Sequence, residues 1–222
     1  MLDIMTQFVF TIGKRHGNNI QMLGTGFLIS NGQYVVAPRH VVGDSDDGLV
    51  IILPSITSFD EYQDTTVNSC SYADVCIKHS DPFRDIVILS FKATIINGIC
   101  PTIPIGGSDD ISVGDEVYIL GFPHCVEGRR VLTMQTALIG AKILLNCSGV
   151  KTKHCVINTQ TRPGQSGSMI YSKKLNKIIG ILIGAFSAYS GISLGGINPR
   201  ELHQTTQCLS AEYISKMIGE KR

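Results

Sequence analysis

The stretch GFLISNGQYVVAPRHVV, residues 26–42, decides the fold class of this chain. It places Asn31-Gly32 between two runs of apolar, β-forming residues. Asn-Gly favours the positive φ angles of a tight hairpin turn, so the stretch predicts two antiparallel strands joined at that point. His40 follows the second run in a turn, where the strand holds the imidazole ring and leaves it partly exposed.

Short β-forming runs recur along the whole chain, and helical patterns are rare. A parallel sheet needs a helix between successive strands, and those helices are missing, so the pattern predicts an all-β barrel or sandwich. One helix is predicted at the C-terminus, with Ser210 as its N-cap and the apolar residues Tyr213, Ile214, Met217 and Ile218 on one face. The predicted strands span residues 8–12, 26–30, 34–37, 49–53, 71–78, 86–91, 116–121, 130–139, 155–159, 168–171, 178–183 and 191–194.

The composition excludes several classes of partner. The chain has 222 residues, of which 43% are hydrophobic, and its 19 basic and 18 acidic residues give a net charge of +1. This balance gives no electrostatic reason to expect nucleic acid or an anionic membrane as a partner. No apolar run approaches the roughly 20 residues that span a bilayer, and the N-terminus lacks the basic start of a signal peptide, so we expect a cytoplasmic protein.

The seven cysteines include no Cys-x-x-Cys pair, so no zinc site is expected. Reduced thiols in a cytosolic protein are favoured, and a single disulfide in an exported protein stays open.

A serine stands between glycines in the segment TRPGQSGS, residues 161–168. Glycine lets the backbone approach a substrate closely and adopt positive φ, which gathers N–H groups around a developing oxyanion. Alone, such a segment is usually a turn. Ser166 becomes a candidate nucleophile only if a base takes the proton of its hydroxyl during attack.

Two upstream segments supply a base and an acid to orient it. His40, at the end of an apolar strand, is the candidate base, and Asp85, which opens the apolar run 86–91, is the candidate acid. A carboxylate in that place can be buried and still accept the imidazole N–H. Asp74 and Asp81 lie nearby in the sequence, so each of them also stays open as the orienting acid.

In this order and with these surroundings, the three segments resemble the chymotrypsin/trypsin-like serine peptidases. Residues 161–167 resemble the nucleophile loop of picornaviral main proteases, with serine in place of cysteine. Residues 113–123 resemble the start of the second barrel in high-temperature-requirement-type and other trypsin-like peptidases. The resemblance implies two six-stranded antiparallel β-barrels. The first, within residues 1–100, would carry the histidine and the aspartate, and the second, within residues 101–222, would carry the serine and the C-terminal helix.

The resemblance also implies the remaining site residues. The loop Gly164, Gln165 and Ser166 would form the oxyanion hole through backbone N–H groups. Gln160 stands where trypsin-type enzymes have an acid, which argues against cleavage after Lys or Arg. Leu182 stands where viral proteases that cut after glutamine have a histidine, so we expect a small or medium uncharged residue before the cut. The implied substrate-binding residues are Gln160, Thr161, Arg162, Leu182, Ile183, Gly184 and Ala185.

Together, the residues and the resemblance predict a serine endopeptidase that hydrolyses peptide bonds through an acyl-enzyme. It would act in viral polyprotein processing or as an intracellular trypsin-like peptidase, and a catalytically inactive, protease-like binding module is the alternative. No cofactor or metal is implied. The expected partner is a protein or polyprotein substrate, and no nucleic-acid partner is expected. Gln165 replaces the acid that pairs with the freed N-terminus of trypsin-type enzymes, so activity without an activating cleavage is predicted.

Overall fold

A computed structural model describes residues 2–93, 102–186 and 205–219, and these residues contain two closed, antiparallel six-stranded β-barrels. The first barrel follows the order β1-β2-β3-β6-β5-β4, and the second follows the order β10-β11-β12-β9-β8-β7. The predicted all-β class and the two-barrel architecture are confirmed. The strands of the first barrel are β1 (Val9–His16), β2 (Asn19–Ile29), β3 (Tyr34–Pro38), β4 (Leu49–Ile52), β5 (Tyr72–Asp81) and β6 (Ile86–Phe91). Those of the second are β7 (Glu116–Gly121), β8 (Thr133–Cys147), β9 (Val150–Ile157), β10 (Met169–Ser172), β11 (Lys177–Phe186) and β12 (Thr205–Ser210).

The helices are short. α1 (Arg39–Val42) is a single turn after β3, and α2 (Glu212–Met217) follows β12. Short 3₁₀ helices occur at Leu2–Gln7, Ser30–Gly32, Ser108–Asp110 and Cys125–Glu127. Within the described ranges, no helix has the length and apolar character that crossing a membrane requires.

The apolar interior is continuous between the two barrels. Leu120, Met169 and Leu209 of the second barrel belong to the same buried cluster as Val36 and Ile88 of the first. A second buried cluster draws its residues from all six strands of the second barrel. Burial of apolar surface stabilises by roughly 25 cal/mol per Å², so this shared cluster fixes the position of one barrel against the other. Residues that the two barrels contribute to one site are therefore held in register.

The predicted hairpin at Asn31-Gly32 is confirmed, with a different turn. β2 and β3 pair through Phe27↔Val36, Leu28↔Val35 and Ile29↔Tyr34. The connection is the 3₁₀ turn Ser30–Gly32, in which Ser30 (φ 52°) and Gly32 (φ 84°) both adopt positive φ. The chain therefore uses a longer turn than the two-residue loop that the sequence predicts, and the strand register places His40 in α1 directly after β3.

Several element boundaries differ from the sequence prediction. β8 and β9 continue past the predicted strands into a long two-stranded arm, paired from Ile139↔Ile157 to Cys147↔Val150. β12 was not predicted, because its polar residues hide the strand pattern. Ser210 ends β12 and accepts a hydrogen bond from the Ser108 N–H at 2.8 Å, so the predicted N-cap is wrong and α2 begins at Glu212. The predicted strand at 191–194 and the predicted boundary between residues 100 and 101 lie outside the described residues.

His154 on β9 makes stability depend on pH. Its side chain is buried, Nε2 lies 3.0 Å from Thr152 Oγ1, and Nδ1 has no hydrogen-bond partner among the described residues. Burial lowers the pKa of His154 from 6.5 to about 4. Between pH 6.5 and about pH 4, His154 is protonated in the unfolded chain but neutral in the native protein. The free energy of unfolding should therefore fall as the pH drops through this range, by up to about 3 kcal/mol.

Urea unfolding at pH 7.5 and pH 4.5 measures this effect, with His154→Gln as the comparison. Glutamine does not titrate and can still bond to Thr152. We expect a clearly smaller loss of stability on acidification in the variant. An equal loss in both proteins would show that other groups carry the acid sensitivity.

Candidate active site

His40 and Asp85 meet because β3 pairs with β6. Pro38, the last residue of β3, lies opposite Ile86, the first residue of β6, so the residues just outside that pair are neighbours. The Asp85 backbone carbonyl accepts the Arg39 N–H at 3.0 Å, and its carboxylate accepts the His40 N–H at 2.8 Å. The other carboxylate oxygen contacts His40 Nδ1. Asp85 thus holds both the backbone and the ring of His40, an arrangement that directs Nε2 away from the acid.

Asp85 adopts a backbone conformation that few side chains tolerate. Its φ is +58°, in the left-handed region, where aspartate and asparagine are enriched among non-glycine residues. Such backbone strain persists where surrounding structure fixes it and is concentrated at functional sites. Here the hydrogen bonds to Arg39 and His40 hold the residue in place.

The two alternative acids are engaged elsewhere. The Asp81 carboxylate pairs with the Arg84 guanidinium at 2.5 Å and accepts the N–H groups of Phe83 and Arg84. Asp74 lies on β5 beside Arg15, at 3.8 Å. Neither carboxylate forms a hydrogen bond with His40, whereas that of Asp85 does.

The loop before Ser166 forms a turn that exposes backbone donors. Gly164 has φ +91°, and the Gln165 N–H donates to the Arg162 carbonyl at 3.1 Å. Proline followed by a positive-φ glycine, closed by this bond, is a type II turn. The N–H groups of Gly164 and Ser166 form no hydrogen bond with any described residue, so both are free to bind an oxyanion.

Gln165 is not an oxyanion donor, contrary to the sequence prediction. Its N–H closes the turn, and its buried side chain accepts the Arg162 N–H at 2.7 Å through Oε1. The Gln165 side chain therefore supports the loop from inside, where trypsin-type enzymes require an acid.

The Ser166 hydroxyl is hydrogen-bonded to β11. Oγ donates to the Ile183 carbonyl at 3.2 Å, and no hydrogen bond joins it to His40. The two segments are close nonetheless, because Gly24 lies between them: a Cβ built on Gly24 would meet Val41 at 2.8 Å and the Ser166 carbonyl oxygen at 3.1 Å. Catalytic hydrogen bonds are often long or misaligned without substrate. A nucleophilic Ser166 has to rotate its hydroxyl from Ile183 towards the ring.

Thr25 ties the first barrel to this loop, and sequence reasoning assigned it no role. It is fully buried on β2, and its Oγ1 donates to the Gly164 carbonyl at 2.8 Å while accepting the Phe122 N–H at 3.1 Å. Its own N–H donates to the Ser166 carbonyl at 2.9 Å. No local pattern could reveal these contacts, because Thr25 and Gly164 are 139 residues apart in the chain.

The predicted specificity residues divide into two groups. Gln160 and Arg162 are exposed and bonded to each other at 3.4 Å, and Thr161 is buried beside them. Leu182 is wholly buried in the core of the second barrel, so its predicted role as a substrate contact is not supported.

The predicted substrate strand lies on β11. Ile183 and Gly184 are half-buried, Gly184 follows a bulge in the pairing with β12, and Ala185 pairs with Thr206 of β12. β10 pairs with β11 only as far as Ile181. From Ile183 onward, one edge of β11 therefore carries no strand in the described parts of the chain, as a substrate-pairing edge requires.

Comparison with known proteins places the chain in a family. Residues 24–181 match the family model of the trypsin-like peptidase domain, and the chain belongs to that family. A probable periplasmic serine endoprotease of the DegP-like type from Ectopseudomonas mendocina is 25% identical over 171 residues, which cover 77% of this chain and 31% of that protein. The serine endoprotease DegS of Escherichia coli K12 is 25% identical over 162 residues, which cover 73% of this chain and 39% of DegS. The chain thus spans well under half the length of these relatives.

The HtrA-type protease AlgW has a similar structure, with a TM-score of 0.68, 18% identity, and coverage of 98% of this chain and 65% of AlgW. At that identity the likeness bears on the fold alone. The resemblance to trypsin-like and high-temperature-requirement-type peptidases is confirmed. These comparisons give no support to the resemblance to picornaviral proteases.

Proposed function

We propose that this chain is the protease domain of a serine endopeptidase, in which Ser166 is the nucleophile, His40 the general base and Asp85 the acid that orients it. The proposal rests above all on the Asp85 carboxylate, which forms hydrogen bonds with both the backbone N–H and the ring of His40. The Ser166 loop adds two backbone N–H groups that have no partner among the described residues. Curated relatives in the same family are serine endoproteases.

The geometry supports the following chemistry. Nε2 of His40 takes the proton of Ser166 as Oγ attacks the substrate carbonyl. The carbonyl oxygen, now negative, accepts hydrogen bonds from the N–H groups of Gly164 and Ser166. His40 then protonates the leaving amine, and water hydrolyses the acyl-enzyme by the same steps. Asp85 keeps the proton on Nδ1 and stabilises the imidazolium.

One observation favours the alternative of an inactive binding module: the Ser166 hydroxyl is bonded to Ile183 and not to His40. A fluorophosphonate probe distinguishes the two functions, because it reacts only with an activated serine. We expect labelling of the native protein that maps to Ser166 by peptide mass spectrometry. Labelling should be absent from Ser166→Ala and from wild-type protein unfolded in urea. An unlabelled native protein, beside a labelled control protease, would contradict the peptidase function.

The cellular setting is a further part of the proposal. Bacterial relatives favour a cellular peptidase over a viral polyprotein protease. Six cysteines in the described ranges form no disulfide, which fits the reducing cytoplasm that the sequence predicts, whereas the DegP-like relative is named as periplasmic. Fractionation of the native host, with Ser166 labelling as the readout, decides between the two compartments.

Thr25→Val should lower the rate of Ser166 labelling roughly tenfold. Valine keeps the shape of threonine but leaves the Gly164 carbonyl and the Phe122 N–H without their buried partner, at a cost of about 1–3 kcal/mol each. The loop then loses the bond that holds its donors in place. Labelling kinetics and urea unfolding measure the two effects, with Thr25→Ser as the control that retains the hydroxyl. If the valine variant is less stable but is labelled at the wild-type rate, Thr25 only supports the fold.

A further inference from the structure

Gln135 is a polar residue on the inward-facing side of strand β8. Ala137 and Ile139, further along the same face, are buried, whereas Met134 and Thr136 on the other face are exposed. Successive side chains of a strand alternate between its two faces, so the half-buried Gln135 lies on the side of the barrel interior. An amide in such a place requires hydrogen-bond partners. Those partners indicate what the residue does.

The Gln135 amide joins the nucleophile loop to the end of β9. Its Oε1 accepts a hydrogen bond from Nε2 of Gln165 at 3.4 Å, and its Nε2 donates to Thr159 Oγ1 at 2.8 Å. Thr159 is held in turn, because its carbonyl accepts the hydroxyl of the buried Thr206 on β12 at 2.5 Å. Gln135 therefore connects the loop to residues that β9 and β12 hold in place.

The direction of these hydrogen bonds fixes the orientation of the Gln165 amide. The Arg162 N–H donates to Oε1 of Gln165 at 2.7 Å, and Nε2 of this buried side chain has Gln135 as its acceptor among the described residues. If the amide turned over, its N–H₂ group would face the Arg162 N–H and its oxygen would face the oxygen of Gln135. Both contacts would be unfavourable. The bonds from Arg162 through Gln165 and Gln135 to Thr159 thus form one amide relay.

We infer that Gln135 is a positioning residue for the proposed oxyanion hole, on which it acts through the amide of Gln165. This inference rests on the proposed function. Gln165 closes the turn with its backbone N–H and supports it with its side chain, and that turn exposes the N–H groups of Gly164 and Ser166. The uncharged relay then holds the loop in the place of the ion pair that trypsin-type enzymes form with a freed N-terminus.

A residue with this role affects the chemical steps more than substrate binding. Negative charge develops on the carbonyl oxygen only as acylation and deacylation proceed, so displaced donors weaken transition-state stabilisation and leave ground-state binding largely intact. Complete loss of one oxyanion donor lowers kcat by about 10²–10³-fold. Gln135 only limits how far the donors move, so its loss should cost less.

Gln135→Met tests the inference, because methionine keeps the length of glutamine and removes the acceptor. On a peptide mapped from the cleavage of denatured casein, we expect kcat to fall about tenfold and KM to stay within about twofold of wild type. The rate of Ser166 labelling by the fluorophosphonate should fall to a similar extent. Gln135→Glu should keep kcat within about threefold of wild type, since a carboxylate accepts both the Gln165 amide and the Thr159 hydroxyl. A loss in Gln135→Glu as large as that in Gln135→Met would contradict the relay.

A Gln165→Met background shows whether Gln135 acts through Gln165. Gln165→Met alone should lower kcat by about tenfold or more, and adding Gln135→Met should change it by less than about twofold, because the relay is already broken. If Gln135→Met lowered kcat tenfold in both backgrounds, Gln135 would act by another route and the inference would be wrong.

Gln63→Met is the matched control, because it makes the same change in another half-buried glutamine. It removes two hydrogen bonds to the backbone of Leu132, at 2.8 and 2.7 Å, and should lower stability in urea at least as much as Gln135→Met does. We expect its kcat to stay within about twofold of wild type, since Gln63 has no bond to the nucleophile loop within the described ranges.

Two results separate the failure of this inference from that of the proposed function. An unchanged kcat in Gln135→Met, or equal losses of kcat in Gln135→Met and Gln63→Met, would overturn the inference and leave the peptidase function intact. Wild-type protein that neither cleaves casein nor is labelled at Ser166 would overturn the proposed function and the inference that rests on it.

Discussion

Replacing Ser166 by alanine is expected to abolish turnover, with kcat falling about 10⁶-fold. The covalent route needs the hydroxyl, and the residual rate would come only from binding and from the oxyanion donors. The fold should be little affected, because within the described ranges the hydroxyl forms a single hydrogen bond, to the Ile183 carbonyl. We therefore expect unfolding in urea to change by no more than about 1 kcal/mol. Steady-state cleavage of a mapped peptide and equilibrium unfolding measure the two quantities.

Ser168→Ala is the control, because it should lower stability and leave turnover intact. Ser168 is fully buried, and its hydroxyl donates to the Gln165 carbonyl at 2.7 Å. Its loss should reduce stability by about 1 kcal/mol while the chemistry continues. If Ser166→Ala retained more than a small fraction of wild-type turnover, with contaminating proteases excluded by inhibitor profiling, another nucleophile would have to be sought.

Asp85→Asn is expected to lower kcat by about 10⁴-fold with a small change in KM. The asparagine N–H₂ group would donate to Nδ1 of His40, and the ring proton would then lie on Nε2. In that tautomer Nε2 cannot accept the serine proton. Asparagine is the informative substitution because it tolerates the left-handed backbone of Asp85, at φ +58°. Its carbonyl oxygen can also still accept the His40 N–H. Alanine would combine backbone strain with the loss of the carboxylate.

Asp81→Asn is the matched control for Asp85→Asn. It removes the ion pair with Arg84 but leaves the contacts of His40 intact. We expect kcat within about threefold of wild type for this variant, because the contacts between Asp85 and His40 are unchanged. Stability should change little, since a partly exposed ion pair contributes about 1 kcal/mol or less. If the losses were reversed, with Asp81→Asn inactive and Asp85→Asn active, the orienting acid would be Asp81.

The sequence predicts most of the framework because apolar alternation and turn residues are local signals. Residues 86–91, for example, form a buried strand as predicted. The polar strands are not predicted from the sequence. β12 is rich in threonine and serine, and in the arm of β8 and β9 the apolar Leu144 is exposed while the polar Thr152 and His154 are buried. Their pairing partners stabilise them, and the local pattern does not.

The candidate site was predictable in its members but not in its geometry. His40 and Ser166 stand out in the sequence by their surroundings. The choice of Asp85 over Asp74 and Asp81 depends on the register of β3 against β6, which only the folded sheet defines. The roles of Thr25 and of the Gln165 side chain depend on contacts across the barrels and inside a turn, which spacing along the chain does not encode.

The Thr25 contacts have a consequence for inhibition. One hydroxyl of the first barrel bonds to Gly164 and Phe122 of the second, so the shape of the oxyanion loop depends on how closely the barrels approach. A small molecule that binds between the barrels near Phe122 would break the hydrogen bonds of Thr25 without occupying the substrate cleft. Such a compound would act allosterically, lowering kcat and leaving KM unchanged, and a rise in substrate concentration would not overcome it.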